Sequence, residues 1–249
     1  MEENLPTYVI NLDRDRDRFG RLADLLSGIT YLSVTRVPGV YGADLPLTAL
    51  KLLSLSPEWS KRRGEIGCFL SHVKAWEAVA MTSAPFCLVL EDDAVPLGLD
   101  RVAALTLPDD TDLVFINDRM SPGSRYSSTD QAVECRPLHD SLSVLNQTSY
   151  GVGADGYLLT PVAAAKLIAA VEQDGCFGNL DWRLLRYSLE PGDLEHEFGG
   201  TRVDIVVRTH HNKLRPPKWG ILKAYCINMP LVAFGTGGFS SRAAASAEQ

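Results

Sequence analysis

Glu91-Asp92-Asp93 is the densest concentration of reactive groups in the sequence: three consecutive carboxylates placed directly after the apolar segment 86–90, FCLVL. Like charges gathered at one strand end repel, so the triplet is costly unless something positive compensates it. A divalent cation shared with a diphosphate supplies that compensation, with hard carboxylate oxygens on one side and phosphate oxygens on the other. A cation held this way neutralises a leaving diphosphate as its bond to a sugar breaks. The plainer reading is a solvated acidic turn, and the strand-like run in front of the triplet weighs against it.

Other candidates are less concentrated. A second apolar run, 112–116 (DLVFI), ends in Asn117-Asp118 and so repeats the pattern of strand followed by polar residues. Asn11 and Arg18 stand at the end of a first strand and are candidate nucleotide contacts, although the run 13–18 (DRDRDR) also reads as a solvated charge stretch. Ser71 and His72 lie on a helical segment; His72 is a candidate donor-binding side chain, and a structural or exposed histidine is the alternative.

These groups need elements to hold them. Segment 7–12 (TYVINL) reads as a strand, and from Asp15 onward Phe19, Leu22, Leu26 and Ile29 recur on one face of a helix. Segment 31–37 reads as a second strand, followed by a Gly/Pro-containing loop through Pro46. Residues 64–81 carry Ile66, Phe69, Leu70, Val73, Trp76 and Ala80 at helical spacing, and Pro85 ends that region before the strand 86–90. Segment 157–159 predicts a strand, with Thr160 as helix N-cap, Pro161 at the first helical position, and a helix to about Glu172. Residues 121–130 read as a mobile loop and 203–208 as a last strand.

Short, nearly continuous apolar strands separated by helices predict an α/β fold: one mostly parallel central sheet flanked by helices, in a single domain. Polar residues just after such strands lie at the sheet's carboxyl edge, where open α/β sheets bind ligands. The expected domain covers residues 1–242, with a disordered tail over 243–249.

Composition narrows the function classes. The chain has 249 residues, 45% hydrophobic and 22% charged, which argues against disorder, collagen-like repeats and a coiled coil. Lys and Arg total 24 against 31 Asp and Glu, a net charge of −7, which does not suit a nucleic-acid binder with a broad basic surface. The five cysteines show no C-x-x-C and no pairing rhythm, so free thiols in a reducing compartment are expected. The acidic N-terminus is no secretory signal, and no apolar run approaches a bilayer span. A cytoplasmic protein, peripheral to a membrane at most, is the expectation.

In order and spacing, YVINLDRDRDRF, GEIGCFLSHVKAWE and LVLEDDA resemble the glycosyltransferase family 25, the lipooligosaccharide-type galactosyltransferases. SYGVGADGYLLTPVAAAKL resembles that family's Gly-x-x-Gly-Tyr-x-x-(Ser/Thr) segment before a helix. The resemblance implies a GT-A-like fold and transfer of a hexose from a nucleotide sugar, with inversion and with Mn²⁺ or Mg²⁺. It also implies a division of the domain near residue 120 into a nucleotide-sugar half and an acceptor-side half. On the matching positions it implies Asp93 as a direct metal ligand. It places Glu91 and Asp92 against ribose, metal-bound water or donor sugar, and Asn11 and Arg18 beside the nucleotide.

Asn179-Leu180-Asp181 aligns with the family's Pro-Val-Asp, keeping the Asp and replacing the Pro. Inverting transfer needs a base for the acceptor hydroxyl; Asp181 is favoured and Asp155 is the other candidate. Segment 229–234 (MPLVAF) resembles a family segment that usually ends in Gln, so Phe234 there carries no site role. His210 and His211 read either as a further metal ligand or as an exposed basic loop. The basic stretch 208–223 reads as a solvated loop or a dock for anionic lipid, worth about 1 kcal/mol per well-placed basic residue.

The reading is a metal-dependent inverting transferase that moves a hexose, favoured as galactose, from a UDP-sugar to lipooligosaccharide or a related glycan. The alternatives are a catalytically silent nucleotide-sugar-binding protein of the same fold and, below it, a metal-dependent phosphohydrolase. The second wants D-x-D-x-(T/V) after its first strand, which LVLEDDAVP does not supply.

Overall fold

The computed structural model describes residues 4–54, 59–123, 131–147, 152–176, 178–193 and 218–235. Strand β1 (Leu5–Asn11) is followed by helix α1 (Arg16–Leu26), β2 (Leu32–Pro38), α2 (Leu47–Ser54) and the long α3 (Arg63–Ala80). Then come β3 (Cys87–Glu91), β4 (Ala94–Pro96), β5 (Leu113–Phe115), β6 (Cys135–Pro137) and α4 (Leu138–Gln147). The chain continues through β7 (Gly156–Leu159), α5 (Pro161–Asp174), α6 (Leu180–Tyr187), β8 (Ala224–Ile227) and β9 (Val232–Phe234).

Among the described residues, seven strands form one sheet in the order β2-β1-β3-β7-β5-β8-β6. β1 pairs in parallel with β2 and β3, and β5 with β8; β7 and β6 run antiparallel to their neighbours. The sheet is therefore mixed but mostly parallel, as expected. β4 and β9 pair separately.

The apolar runs are continuous because both faces are covered. In β3, Cys87 and Val89 join the core beneath α3, α5 and α6, whereas Leu88 and Leu90 join the core under α1 and the turn at residues 99–104. β5 divides in the same way, with Leu113 and Phe115 on one side and Val114 and Ile116 on the other. This is the two-residue period of a strand read against two packed layers. Each fully buried Leu, Val or Phe contributes about 1.5–3 kcal/mol.

Local signals act where the sequence placed them. The Thr160 side chain accepts from the Ala163 backbone N–H at 3.0 Å, and Pro161 occupies the first helical position of α5. That helix runs to Asp174, two residues beyond the expected end. Ile29 lies beyond the end of α1 instead of on its face. The expected strand 203–208, with His210, His211 and residues 208–217 of the basic stretch, lies outside the described residues, as do 124–130 of the expected loop and the expected tail 243–249. No helix among the described residues is long and apolar enough to cross a membrane.

Candidate active site

The carboxyl edge of β1, β3 and β5 carries the site. The β1–β3 register sets Ile10 beside Glu91, so Asn11 and the acidic triplet emerge together. Alternation along β3 places Glu91 on the side of Val89, towards α3. Antiparallel β7 sets Gly156 opposite Leu90, and the Glu91 N–H donates to the Asp155 carbonyl at 3.1 Å. Asp155 thus enters the same edge from the opposite direction.

The triplet divides its work. Asp92 turns to β1 and α1: its Oδ2 accepts from Asn11 Nδ2 at 2.7 Å, and its Oδ1 pairs with Arg18 Nη2 at 2.7 Å. Asn11 is itself fixed, since its Oδ1 accepts from Arg36 Nε at 2.7 Å and its amide donates to the Asp15 carbonyl at 2.8 Å. Asn11 and Arg18 therefore reach the acidic edge, with Arg36 as a support that the sequence motifs did not indicate.

Glu91, Asp93 and Asp155 place one carboxylate oxygen each within 4.8 Å of the others. Arg18 Nη2 lies 3.2 Å from Asp93 Oδ2, while Asp93 Oδ1 is buried without a hydrogen-bond partner. Burial, reinforced by Glu91 and Asp155, raises the Asp93 carboxyl from 3.8 to about 7. Burial also raises Asp155, to about 6, with Arg119 opposing and Glu91 adding to the rise. Asp92 moves up through burial, offset by the hydrogen bond from Asn11 and the charge of Arg18. Hard oxygen donors with a buried, unpartnered oxygen among them fit a divalent cation such as Mn²⁺ or Mg²⁺. A second group, Cys68, His72 and Glu91, also lies within 4.8 Å and shares Glu91.

Arg119, like Arg36, was not singled out in the sequence. Its Nε donates to Asp155 Oδ2 at 3.0 Å, and its Nη2 contacts both Asp155 oxygens. Buried Asn117 delivers it: Oδ1 accepts the Arg119 and Met120 backbone N–H groups at 3.1 and 3.0 Å, and Nδ2 donates to the Gly153 carbonyl at 2.8 Å. Asn117-Asp118 was the available signal, but it marked an edge and not the arginine one residue further on. The Phe234 ring packs against this guanidinium, 4.9 Å from its Cζ. Asp181, buried in the first turn of α6, is close enough to act on both Arg119 and Asp155 electrostatically.

A pocket open to solvent adjoins the acids between the end of β1, the turn at Tyr41-Gly42 and α3. Asn11, His72, Glu91 and Asp92 line it. The structure thus brings Asn11, Arg18, His72, Glu91, Asp92, Asp93, Asp155 and Asp181 to one end of the sheet.

The sequence model of the family described as "Glycosyltransferase family 25 (LPS biosynthesis protein)" matches residues 4–176. The chain belongs to glycosyltransferase family 25. This family-25 chain is 28% identical over 172 residues to "Procollagen galactosyltransferase 2" of Homo sapiens, an alignment covering 66% of the chain and 27% of that protein. It is 27% identical over 179 residues to "Procollagen galactosyltransferase 1-A" of Xenopus laevis, covering 66% and 28%. It is 27% identical over 172 residues to a "Glycosyltransferase 25 family member" of Drosophila pseudoobscura pseudoobscura, covering 66% and 27%. The chain thus spans a little over a quarter of the length of these relatives. The family match includes Glu91, Asp93 and Asp155, and Asp181 lies beyond it.

Proposed function

We propose that the chain is an inverting, divalent-cation-dependent galactosyltransferase of GT-A-like fold that uses a UDP-sugar donor. The observation that carries this is the group Glu91, Asp93 and Asp155, with its buried unpartnered Asp93 oxygen, opening beside a pocket at the carboxyl edge of a mostly parallel sheet. Galactose is supported by the names of the relatives. Lipooligosaccharide or a related surface glycan as acceptor is supported by the family description. A cytoplasmic site of action, peripheral to the inner membrane face, goes with this reading, because cytosolic nucleotide sugars are the donors.

Glu91, Asp93 and Asp155 would hold the cation. When bound, it neutralises the charge that develops on the departing diphosphate. Asn11 and Asp92 border the nucleotide, and Arg18 holds Asp92 and Asp93 in place. Asp181 takes the proton of the acceptor hydroxyl on its carboxylate as that oxygen attacks the sugar carbon from the face opposite the diphosphate. Asp155 is the poorer base, since on this reading the cation and Arg119 engage its carboxylate together. Arg119 adds a fixed positive charge beside the reacting groups.

A silent nucleotide-sugar-binding protein is the second reading, favoured by Phe234 lying over Arg119 where the family segment usually ends in Gln. Incubation with UDP-galactose and Mn²⁺ separates the two. The enzyme releases UDP slowly to water and faster with a glycan acceptor, whereas binding without any UDP release supports the silent reading.

A further inference from the structure

Behind Glu91, three buried side chains stand in file, and the donor Trp76 at one end sets the direction of the hydrogen bonds along it. Trp76 Nε1 lies 2.9 Å from the Tyr157 hydroxyl oxygen; an indole N–H only donates, so the hydroxyl accepts there. The same oxygen lies 2.9 Å from His72 Nδ1. Trp76, His72 and Tyr157 are all 0% exposed. The hydroxyl proton therefore has His72 Nδ1 as its acceptor, and burial drives the phenol upward so that it keeps that proton. An imidazole that accepts on Nδ1 carries its proton on Nε2. Nε2 faces Glu91 Oε1 at 3.4 Å. The Tyr157 ring stacks on the imidazole, with centroids 5.9 Å apart and planes 21° from parallel, which fixes its orientation.

We propose that His72 is a positioning residue, an Nε2–H donor with its tautomer set by Tyr157 and Trp76, that holds one oxygen of Glu91 on the α3 side and presents the carboxylate to Asp93 and Asp155. The inference rests on the cation reading above and deepens it. It also decides between the two groups that share Glu91. An Nε2 that bears a proton has no lone pair for a cation, so Cys68, His72 and Glu91 do not form the cation site, and Glu91 serves the all-oxygen group. The sequence alone offered His72 as a donor contact; the structure assigns it to the Glu91 carboxylate in the wall of the pocket.

Two measurements test this. In the metal-free, full-length chain labelled with ¹⁵N-histidine, two-bond ¹H–¹⁵N correlations report the tautomer, with the His72 signals assigned by their loss in His72→Gln. The expected result is a neutral imidazole protonated on Nε2, with the Nδ1-protonated form gaining population in Tyr157→Phe. An Nδ1-protonated His72 in the unsubstituted chain overturns the proposal.

The second measurement is Mn²⁺ affinity, read from the electron paramagnetic resonance of free Mn²⁺. His72→Ala should weaken it about 10–100-fold, as loss of a ligand's hydrogen-bond partner does. His72→Gln, whose amide N–H₂ stands near the place of Nε2–H, should restore most of that loss. Equal weakening in both variants overturns the positioning role, because a packing defect would not distinguish them. Absence of Mn²⁺ uptake by the unsubstituted chain overturns the cation reading instead, and the imidazole signals distinguish that failure because they need no metal.

Discussion

Arg119 grips Asp155 from two sides, Nε on Oδ2 at 3.0 Å and Nη2 on both oxygens, and the Asp155 side chain is 0% exposed. A carboxylate this deep is tolerated because the guanidinium supplies charge and directed donors together. Removing the arginine leaves a buried charge with no counterpart. Arg119→Met should lower stability by about 3–5 kcal/mol near neutral pH. The loss should shrink in acid, where Asp155 becomes neutral, and Arg119→Met/Asp155→Asn should recover most of it. Urea denaturation of the single and double variants measures the cycle.

The base assignment separates cleanly from donor binding. Asp181→Asn keeps the side-chain shape and should leave UDP-galactose affinity unchanged while turnover falls about 10²–10⁴-fold. Wild-type turnover in that variant, measured as UDP release with acceptor present, excludes Asp181 as the base.

The wall of the pocket depends on two glycines. A Cβ on Gly67 in α3 would lie 2.6 Å from the Gly42 nitrogen and 2.7 Å from the Val40 carbonyl oxygen, and one on Gly42 would lie 1.7 Å from the Arg63 carbonyl oxygen. These are backbone atoms, which cannot step aside as a flexible side chain can. Gly67→Ala should therefore push the 40–42 turn away from α3, costing about 1–3 kcal/mol and weakening donor binding. Thermal denaturation and calorimetry report the two effects.

The raised carboxyls give a signed pH dependence. Asp93 and Asp155 go from 3.8 up to about 7 and about 6 in the folded chain, so the folded state holds protons that the unfolded state has lost. Stability from this site is therefore fully present below about pH 4 and is lost as pH rises towards about 7. The metal-free chain should show this loss as a decline in Tm, superimposed on the titration of its other groups. Mn²⁺ should oppose the decline, and Asp93→Asn should lack most of it. Scanning calorimetry from acid to neutral pH, with and without metal, checks the sign.

Much of the site's edge was legible because it follows from one-dimensional signals. FCLVL before Glu91-Asp92-Asp93 is a two-sided buried strand with its polar end marked, and Thr160-Pro161 announces the start of α5. The motif resemblance singled out Asn11 and Arg18 as nucleotide contacts, and in the structure both side chains bind Asp92. What stayed hidden depends on pairing between distant segments. Nothing local shows that β7 runs antiparallel between β3 and β5, yet that direction is what brings Asp155 to Glu91. Arg119 reads as an ordinary loop arginine until Asn117 and Asp155 are seen around it. The three- and four-residue strands β4, β6, β8 and β9 are too short to carry a period of their own. His72 was visible, but its role depends on Tyr157, 85 positions later.

The most direct test of the account is a calorimetric titration of UDP-galactose into the metal-free chain and into the chain with Mn²⁺, repeated with Asp93→Asn. Binding should require Mn²⁺ and be selective for that sugar. Asp93→Asn should abolish the metal requirement together with most of the affinity, and its turnover should fall about 10²-fold or more in a chain that still unfolds cooperatively. Equal donor affinity with and without Mn²⁺, or unchanged metal-dependent binding in Asp93→Asn, would contradict the cation reading.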